Sequence, residues 1–247
     1  MKKRFAAFMS TVLAAVLCAC SAAPKDVLPN KGAQPTEAPT QQAQTTQAAP
    51  TEQPTPEPDP VQQLLEEMTL EQKVGQLFLV RPDSLDLSQT QDQINDAKAD
   101  GVTELTDAMR QTLAEYPVGG VVIFGKNLES PQQITQFLDD LQQASDTPLF
   151  TAIDEEGGLV ARLANNAAFD LPQYESAAAV GTSGNPEDAR AMGRTIGGYL
   201  KEYGFNLDFA PVADVNTNPD NPVIGTRAFS SEPQTAADLV GGACAGF

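Results

Sequence analysis

The chain has 247 residues, with 15 lysines and arginines against 33 aspartates and glutamates, which give a formal net charge of −18. This charge repels the phosphates of nucleic acid and the head groups of anionic lipids, so we expect neither to bind its surface. Histidine is absent and the three cysteines stand at positions 18, 20 and 244, so we expect no metal site, no cofactor and no disulfide framework.

The first twenty residues have the pattern of a secretion signal. A basic start is followed by an apolar run of about a dozen residues, which is too short to span a bilayer. The run ends in Leu17-Cys18-Ala19-Cys20, which resembles a bacterial lipobox with Cys20 as the lipidated residue. The alternative is an ordinary signal peptide cut near Ala19 or Ala23. We expect a lipoprotein signal peptide over residues 1–19 and an extracytoplasmic protein held on the bacterial cell membrane by its lipid chains.

Residues 20–60 have the composition of a disordered tether. Nine of the 19 prolines lie here, among many threonines, glutamines and alanines, and no aromatic residue occurs. Such a segment cannot bury enough apolar surface to offset the entropy lost on ordering. We expect it to hold the folded part of the chain away from the membrane.

Helical patterns open the folded part, which we place at residues 61–247. Thr69 and Gln72 have the spacing of a capping box, and the apolar residues 70, 74, 77 and 78 continue one helical face. Residues 76–80 fit either the end of this helix or a short buried strand. A polar, weakly patterned stretch follows over 82–104, and residues 105–113 predict a short helix.

Strands and helices then alternate to the end of the chain. We predict strands over residues 119–124, 148–153 and 205–212, and helices beginning at Pro131, at Pro186 and near Pro233. This alternation predicts an α/β fold with a parallel sheet. Three or four such units are enough for a doubly wound sheet, whereas a (β/α)8 barrel needs about twice as many.

Five segments carry a resemblance to a known family. They are MTLEQKVGQLF (68–78), GGVVIF (119–124), IDEEGGLVARL (153–163), NLDFAPVADVN (206–216) and NPVIGTRAF (221–229). In this order they resemble the N-terminal part of the glycoside hydrolase family 3 catalytic domain, and within it the bacterial β-N-acetylhexosaminidases. The resemblance covers nearly all of residues 61–247.

The resemblance implies a fold, an activity and a set of contacts. The fold is the N-terminal portion of a (β/α)8 barrel, incomplete in this chain. The activity is retaining, exo-acting removal of β-linked N-acetylglucosamine from peptidoglycan or chitin saccharides. The residues that match the family's substrate contacts are Asp154, Arg162 and Arg227, while Leu159 and Ala228 replace a frequent arginine and a frequent serine.

The resemblance also implies that the catalytic groups are missing from these 247 residues. In the hexosaminidase branch the acid/base pair and the nucleophilic aspartate come after the segments matched here, and the acid/base pair includes a histidine. Retaining chemistry needs two groups flanking the bond, about 5 Å apart when both are carboxylates. We therefore expect a C-terminally truncated enzyme that is inactive alone.

Two other functions fit parts of the sequence. A secretion signal, a lipobox, a tether and an α/β domain are also the parts of a lipid-anchored sugar- or solute-binding protein without catalysis. A metal held by the three acids at 154–156 is the weakest reading, because adjacent acids without a second cluster make a poor cage. An unrelated sequence after Phe247 would favour the binding protein over the hydrolase.

Each candidate residue also has a structural interpretation. Asp154 either holds sugar hydroxyls or pairs with Arg162, and Arg227 either binds substrate or forms a surface ion pair. Successive strand residues face opposite ways, so we expect one of the two following glutamates at the surface and the other hydrogen-bonded to the loop. Asp208 is either structural or barrel-lining, and Cys244 is expected in the core.

Overall fold

The computed structural model describes residues 59–247. The predicted signal peptide, the predicted lipidation of Cys20 and the predicted tether up to residue 58 therefore lie outside the described residues. Within residues 59–247, no helix is both long enough and apolar enough to cross a membrane.

Helices and strands alternate through the described part of the chain. The helices are α1 (Pro60–Glu67), α2 (Leu70–Gly75), α3 (Gln91–Asn95), α4 (Asp107–Glu115), α5 (Pro131–Ala144), α6 (Ala177–Gly181), α7 (Pro186–Glu202) and α8 (Pro233–Gly246). The strands are β1 (Leu79–Val80), β2 (Gly120–Ile123), β3 (Phe150–Ile153), β4 (Glu155–Gly157), β5 (Val160–Ala161) and β6 (Leu207–Asp208). Of residues 76–80, Gln76 caps the end of α2 and residues 79–80 form the short strand β1.

Side-chain caps start the predicted helices where the sequence places them. The Thr69 hydroxyl accepts a hydrogen bond from the Gln72 amide, and the Gln72 side chain accepts one from the Thr69 amide, which completes the capping box before α2. The side chains of Ser130 and Asn185 accept hydrogen bonds from the amides of Gln133 and Glu187 and so cap α5 and α7, each directly before a proline at the first helical position. These caps satisfy amide groups that a helix leaves unpaired at its start.

The order of the strands distinguishes between the two α/β folds. The sheet is parallel and runs β1-β2-β3-β6, so each strand lies beside the one that precedes it in this sheet. A doubly wound sheet reverses direction at a switch point, whereas a (β/α)8 barrel takes neighbouring positions in turn. The observed order confirms the N-terminal portion of a (β/α)8 barrel, incomplete in this chain.

One cluster of buried apolar side chains joins the sheet to α4, α5 and α7. The buried faces of α5 and α7 have the spacing of one helical face, with Ile134, Phe137, Leu138 and Leu141 on α5, and Met192, Ile196, Tyr199 and Leu200 on α7. The apolar face of α2 and the turn after it is instead exposed, with Leu77 at 79%. This face lies next to β1, an edge strand whose only strand neighbour among residues 59–247 is β2.

Three local expectations were wrong or incomplete. The strand expected over residues 205–212 is only two residues long, and Pro211 cannot donate to a ladder. Cys244 is exposed on α8 rather than buried in the core. The sequence also did not predict the antiparallel β4–β5 hairpin, which follows β3 directly and carries the acidic segment.

Candidate functional site

Polar and aromatic side chains gather where the parallel strands end. Arg81 follows β1 directly, Phe124 follows β2, and Asp154 follows β3. Because the carboxyl ends of neighbouring parallel strands meet at one edge, these side chains share one end of the sheet. In (β/α)8 barrels this is the end where active sites are built.

The structure brings Asp154 and Arg162 together. Asp154 stands between β3 and the hairpin, and Arg162 follows the hairpin's second strand, so the turn at Gly157 and Gly158 folds one over the other. The Arg162 Nη2 donates to Asp154 Oδ2 at 3.1 Å. The two side chains keep 31% and 26% of their surface exposed, so both remain open to a ligand. The structure therefore contains the Asp154–Arg162 ion pair that was predicted as the structural alternative. This pair does not close the corner to a sugar.

Phe124 links Arg162 to a second arginine. The Arg81 guanidinium carbon lies 4.4 Å from the centre of the Phe124 ring, and that of Arg162 lies 5.6 Å from it. A cation over an aromatic face is attracted by the ring's quadrupole, which fixes where the planar guanidinium lies. Neither Arg81 nor Phe124 was predicted from the sequence as a site residue. Arg81 directly follows a strand, as Asp154 does, so this position would have indicated Arg81 had residues 79–80 been assigned as a strand.

Glu155 is a buried anchor for the loop that carries Arg162. Its side chain is fully buried, and its two carboxylate oxygens accept hydrogen bonds from the amides of Leu163 and Ala164, both at 2.9 Å. The hydroxyl of Tyr199 donates to the same carboxylate at 2.8 Å. Burial, and then the charge of Glu155, raises the pKa of Tyr199 far above its ordinary value, so the phenol stays a donor. The expected hydrogen-bond partner for the loop is therefore Glu155.

Glu156 is also buried, so the prediction of a surface charge was wrong for this pair of glutamates. Its carboxylate accepts two hydrogen bonds from Arg227, from Nη2 at 2.6 Å and from Nε at 2.8 Å. This bidentate pairing is the main cause that raises the pKa of Arg227, and the Asp154 charge adds to it. Arg227 also donates to the carbonyl of Val223. Arg227 therefore ties the loop at 223–227 to the hairpin. Of the two roles predicted for Arg227, the structure shows the ion pair, and its partner Glu156 is buried.

Asp208 adds a fourth acid behind the hairpin. One of its oxygens accepts a hydrogen bond from the Glu155 amide at 2.9 Å, while the other is buried and has no partner among the described residues. Burial, opposed by that hydrogen bond and reinforced by the charges of residues 154–156, raises the pKa of Asp208 to about 7. A side chain that bonds the hairpin backbone has a structural role, one of the two predicted for it.

A buried ion pair fixes the long segment of residues 82–104, which contacts Arg81. Lys126 Nζ lies 3.1 Å from Asp83 Oδ1, with the two side chains 6% and 0% exposed. Asn127 donates to the other Asp83 oxygen at 3.0 Å, and the Val102 amide donates to the first at 3.2 Å. Lys126 also donates to the carbonyls of residues 93 and 94. No local pattern indicates this network, because its members are far apart in the chain.

These contacts define what the site can do. Asp154 offers an acceptor and Arg162 offers donors at a half-open corner, and hydroxyl groups of a ligand can engage both. Glu155 and Glu156 have their oxygens occupied by protein donors and serve to hold this corner in place. Within residues 59–247, no group of three histidines, cysteines or acids is arranged to hold a metal ion.

Comparisons with known proteins show which family the chain resembles. Residues 69–247 match the family described as glycosyl hydrolase family 3 N terminal domain. Beta-hexosaminidase A of Pseudoalteromonas piscicida is 36% identical over 143 residues, which are 56% of this chain and 24% of that protein. A beta-hexosaminidase of Nitrosomonas eutropha is 35% identical over 141 residues, which are 56% of this chain and 40% of that protein.

A solved structure is similar over a longer part of the chain. The glycoside hydrolase family 3 beta-N-acetylglucosaminidase from Paenibacillus sp. str. FPU-7 matches with a TM-score of 0.61 and 34% identity. The match covers 73% of this chain and 31% of that one. The chain thus spans less than half the length of each of these three proteins.

Proposed function

Because the chain belongs to glycosyl hydrolase family 3, through the N-terminal domain of that family, we propose that it is part of a retaining O-glycosyl hydrolase. The substrate is a β-linked amino-sugar oligosaccharide derived from peptidoglycan or chitin, from which the enzyme removes terminal N-acetylglucosamine. Relatives named beta-hexosaminidase and beta-N-acetylglucosaminidase support the activity and the sugar. The observation that carries the proposal is the half-open Asp154–Arg162 pair at the carboxyl end of β3.

Asp154 and Arg162 grip the sugar. The Asp154 carboxylate accepts hydrogen bonds from sugar hydroxyls, and Arg162 donates to a sugar oxygen from the N–H groups that do not contact Asp154. In the free chain one charge-assisted hydrogen bond joins the two side chains, and a ligand replaces or bridges it. Arg227 completes the site from the neighbouring loop, with Glu156 fixing the plane of its guanidinium.

We expect no bond-breaking group among residues 61–247. This part of the proposal is supported by the family resemblance, which assigns no catalytic acid/base or nucleophile to residues 61–247, and by the length of the relatives. The buried carboxylates at 155 and 156 cannot serve, because their oxygens are held by Leu163, Ala164, Tyr199 and Arg227. The chain's own contribution is to bind and orient the sugar.

The same proposal places the protein outside the cytoplasm, anchored by lipid on Cys20. It is supported by the basic start, the apolar run and the lipobox-like Leu17-Cys18-Ala19-Cys20, with the Pro-rich 20–60 segment as a tether. Growth of the producing cells with an alkyne fatty acid should label the wild-type chain and leave Cys20→Ala unlabelled. Labelling that persists in Cys20→Ala and disappears in Cys18→Ala would move the anchor to Cys18.

Sugar binding and turnover test the enzymatic part separately. The 1–247 chain should bind N-acetylglucosamine in ligand-observed NMR and should not hydrolyse a chromogenic N-acetylglucosaminide. Asp154→Asn should weaken binding about tenfold by removing a charge-assisted acceptor. Asp139→Asn removes one exposed carboxylate from α5 and should leave binding unchanged.

Three outcomes would overturn parts of this proposal. Hydrolysis by pure 1–247 would show that the catalytic groups are assigned to the wrong part of the chain. Equal binding by wild type and Asp154→Asn would remove Asp154 from the sugar site. Sugar binding without hydrolysis by the protein expressed from its natural gene would favour the alternative, a lipid-anchored sugar- or solute-binding protein.

A further inference from the structure

A cavity of about 390 Å³ lies beside the Asp154–Arg162 pair, and the sugar-binding roles above leave it unused. Residues 94–97 line one part of it, and its charged and aromatic lining includes Arg81, Phe124, Lys126 and Arg162. Its volume falls in the range of about 300–1,000 Å³ that is typical of small-molecule sites. Arg162 belongs to both the cavity and the sugar corner, so a group in the cavity can be attached to the sugar that Asp154 holds.

The charges around this cavity leave one arginine without a counter-ion. Lys126 is neutralised by Asp83, and Arg162 shares its charge with Asp154. Arg81 forms no ion pair with any carboxylate in residues 59–247. Asp96, the acid that lines the cavity, is exposed, and its carboxylate accepts a hydrogen bond from the Lys98 amide. Water screens an exposed acid strongly, whereas the half-buried Arg81 keeps more of its field.

The Arg81 guanidinium is also held rigidly in place. Its Nη1 donates to the Ile94 carbonyl at 2.7 Å and to Asn95 Oδ1 at 3.3 Å, and its central carbon lies 4.4 Å from the centre of the Phe124 ring. These contacts occupy one nitrogen and leave Nε and Nη2 for a ligand. The Nε of Arg162, beside the same ring, is buried and has no partner among the described residues. A fixed pair of guanidinium groups binds an anion with little further loss of entropy.

We propose that this cavity binds a carboxylate group carried by the amino-sugar ligand, with Arg81 as its main partner and Arg162 Nε as a second donor. The planar fork of a guanidinium matches a carboxylate through two parallel hydrogen bonds. A single negative charge fits better than a phosphate dianion, because Asp96 lines the cavity, Asp154 pairs with Arg162 beside it, and the chain carries −18 overall. This inference rests on the proposed function, because it takes the sugar at Asp154 as given.

The test compares the affinity of the chain for sugar derivatives that carry a carboxylate with its affinity for the matching uncharged amides. Three N-acetylglucosamine ethers carry a carboxymethyl group on O3, on O4 or on O6, and each has a carboxamidomethyl counterpart of nearly the same shape. With the 1–247 chain, at least one acid should bind about fivefold to tenfold more tightly than its amide. In Arg81→Gln that acid-to-amide ratio should fall to about one, and Arg81→Lys should keep part of it, because the charge remains while the fork is lost.

The ratio separates this role from a general loss of structure. Damage to the segment at 94–97 would weaken the binding of the acid and of the amide equally, and would leave the ratio of the two affinities unchanged. Arg194→Gln removes one exposed arginine from α7 and should keep the wild-type ratio.

Each remaining outcome has one meaning. Acid-to-amide affinity ratios near one for all three ethers, or an unchanged ratio in Arg81→Gln, would overturn the carboxylate site. The proposed function would still stand if the chain binds the neutral sugars. If inorganic phosphate displaces the acid at a lower concentration than acetate does, the site prefers phosphate and the carboxylate assignment falls. If neither neutral nor acidic sugars bind, the proposed function fails first and this inference fails with it.

Discussion

Replacing Lys126 with methionine should release the segment of residues 82–104 from the end of β2. Methionine has a similar volume but cannot pair with Asp83 or donate to the carbonyls of residues 93 and 94. The Lys126 side chain is buried, so water does not replace these contacts unless the segment moves. The segment carries the residues that position Arg81, which makes this network a condition for the cavity beside the site.

The magnitude follows from what remains around Asp83. Removing one partner of a buried ion pair costs about 3–5 kcal/mol, because the other charge stays buried without compensation. The carboxylate here keeps two donors, the Val102 amide and the Asn127 side chain, so we take the lower end, about 3 kcal/mol. At about 1.4 kcal/mol for each factor of ten, this shift increases the population of the open segment roughly 150-fold.

Hydrogen exchange at the Val102 amide measures this opening directly, because that amide donates to Asp83 Oδ1. Lys126→Met should speed its exchange about a hundredfold, and Lys98→Met, which removes an exposed lysine from the same segment, should change it little. In the double variant Asp83→Asn, Lys126→Met, the Val102 amide should exchange more slowly than in Lys126→Met alone, because the double variant leaves no unpaired charge buried. Less than about a fivefold increase in Lys126→Met would show that the pair does not hold the segment.

Two further predictions concern stability. Because the pKa of Asp208 is raised to about 7, the folded state keeps a proton that the unfolded state releases above about pH 4, so stability should fall as pH rises from about 4 to 7 and then level off. Asp208→Asn should flatten that part of the profile and stabilise the chain by roughly 2–3 kcal/mol at pH 8, and an unchanged urea-unfolding profile would contradict it. Gly193→Ala should destabilise the chain by about 1–3 kcal/mol, because its new Cβ would collide with the Ala243 carbonyl of α8. Gly198→Ala, on the same helix with open space around it, should instead stabilise by up to about 1 kcal/mol in thermal unfolding, and equal effects of the two alanines would refute the packing argument.

Elements with local signals were predictable from the sequence. The capping box at Thr69, the Ser130-Pro131 start of α5 and the β-branched run of β2 each depend on residues within one or two turns. The site residue Asp154 could also be singled out, because it directly follows a strand and strand ends meet at one edge of a parallel sheet. Family resemblance added Arg162 and Arg227, whose substrate roles stay predictions.

The roles of the charged side chains were not predictable in this way. Three consecutive acids differ completely in environment: Asp154 is partly open, Glu155 accepts backbone amides, and Glu156 pairs with an arginine 71 residues away. The alternation of strand residues did not anticipate this, because β3 ends at Ile153 and the hairpin begins again at Glu155. Which acid meets water and which is desolvated depends on the segments that cover it.

The sequence by itself determined the alternation of strands and helices, the caps of the long helices, and the acidic segment after β3. Only the tertiary structure decided that the strands follow one another as in a barrel, that Arg81 and Arg162 share the Phe124 ring, and that Asp83 is buried with Lys126. The physical reason is the separation along the chain of the residues that interact. Helix caps and apolar periodicity act between near neighbours in the chain, whereas ion pairs and desolvation act through space, between residues that only folding brings together.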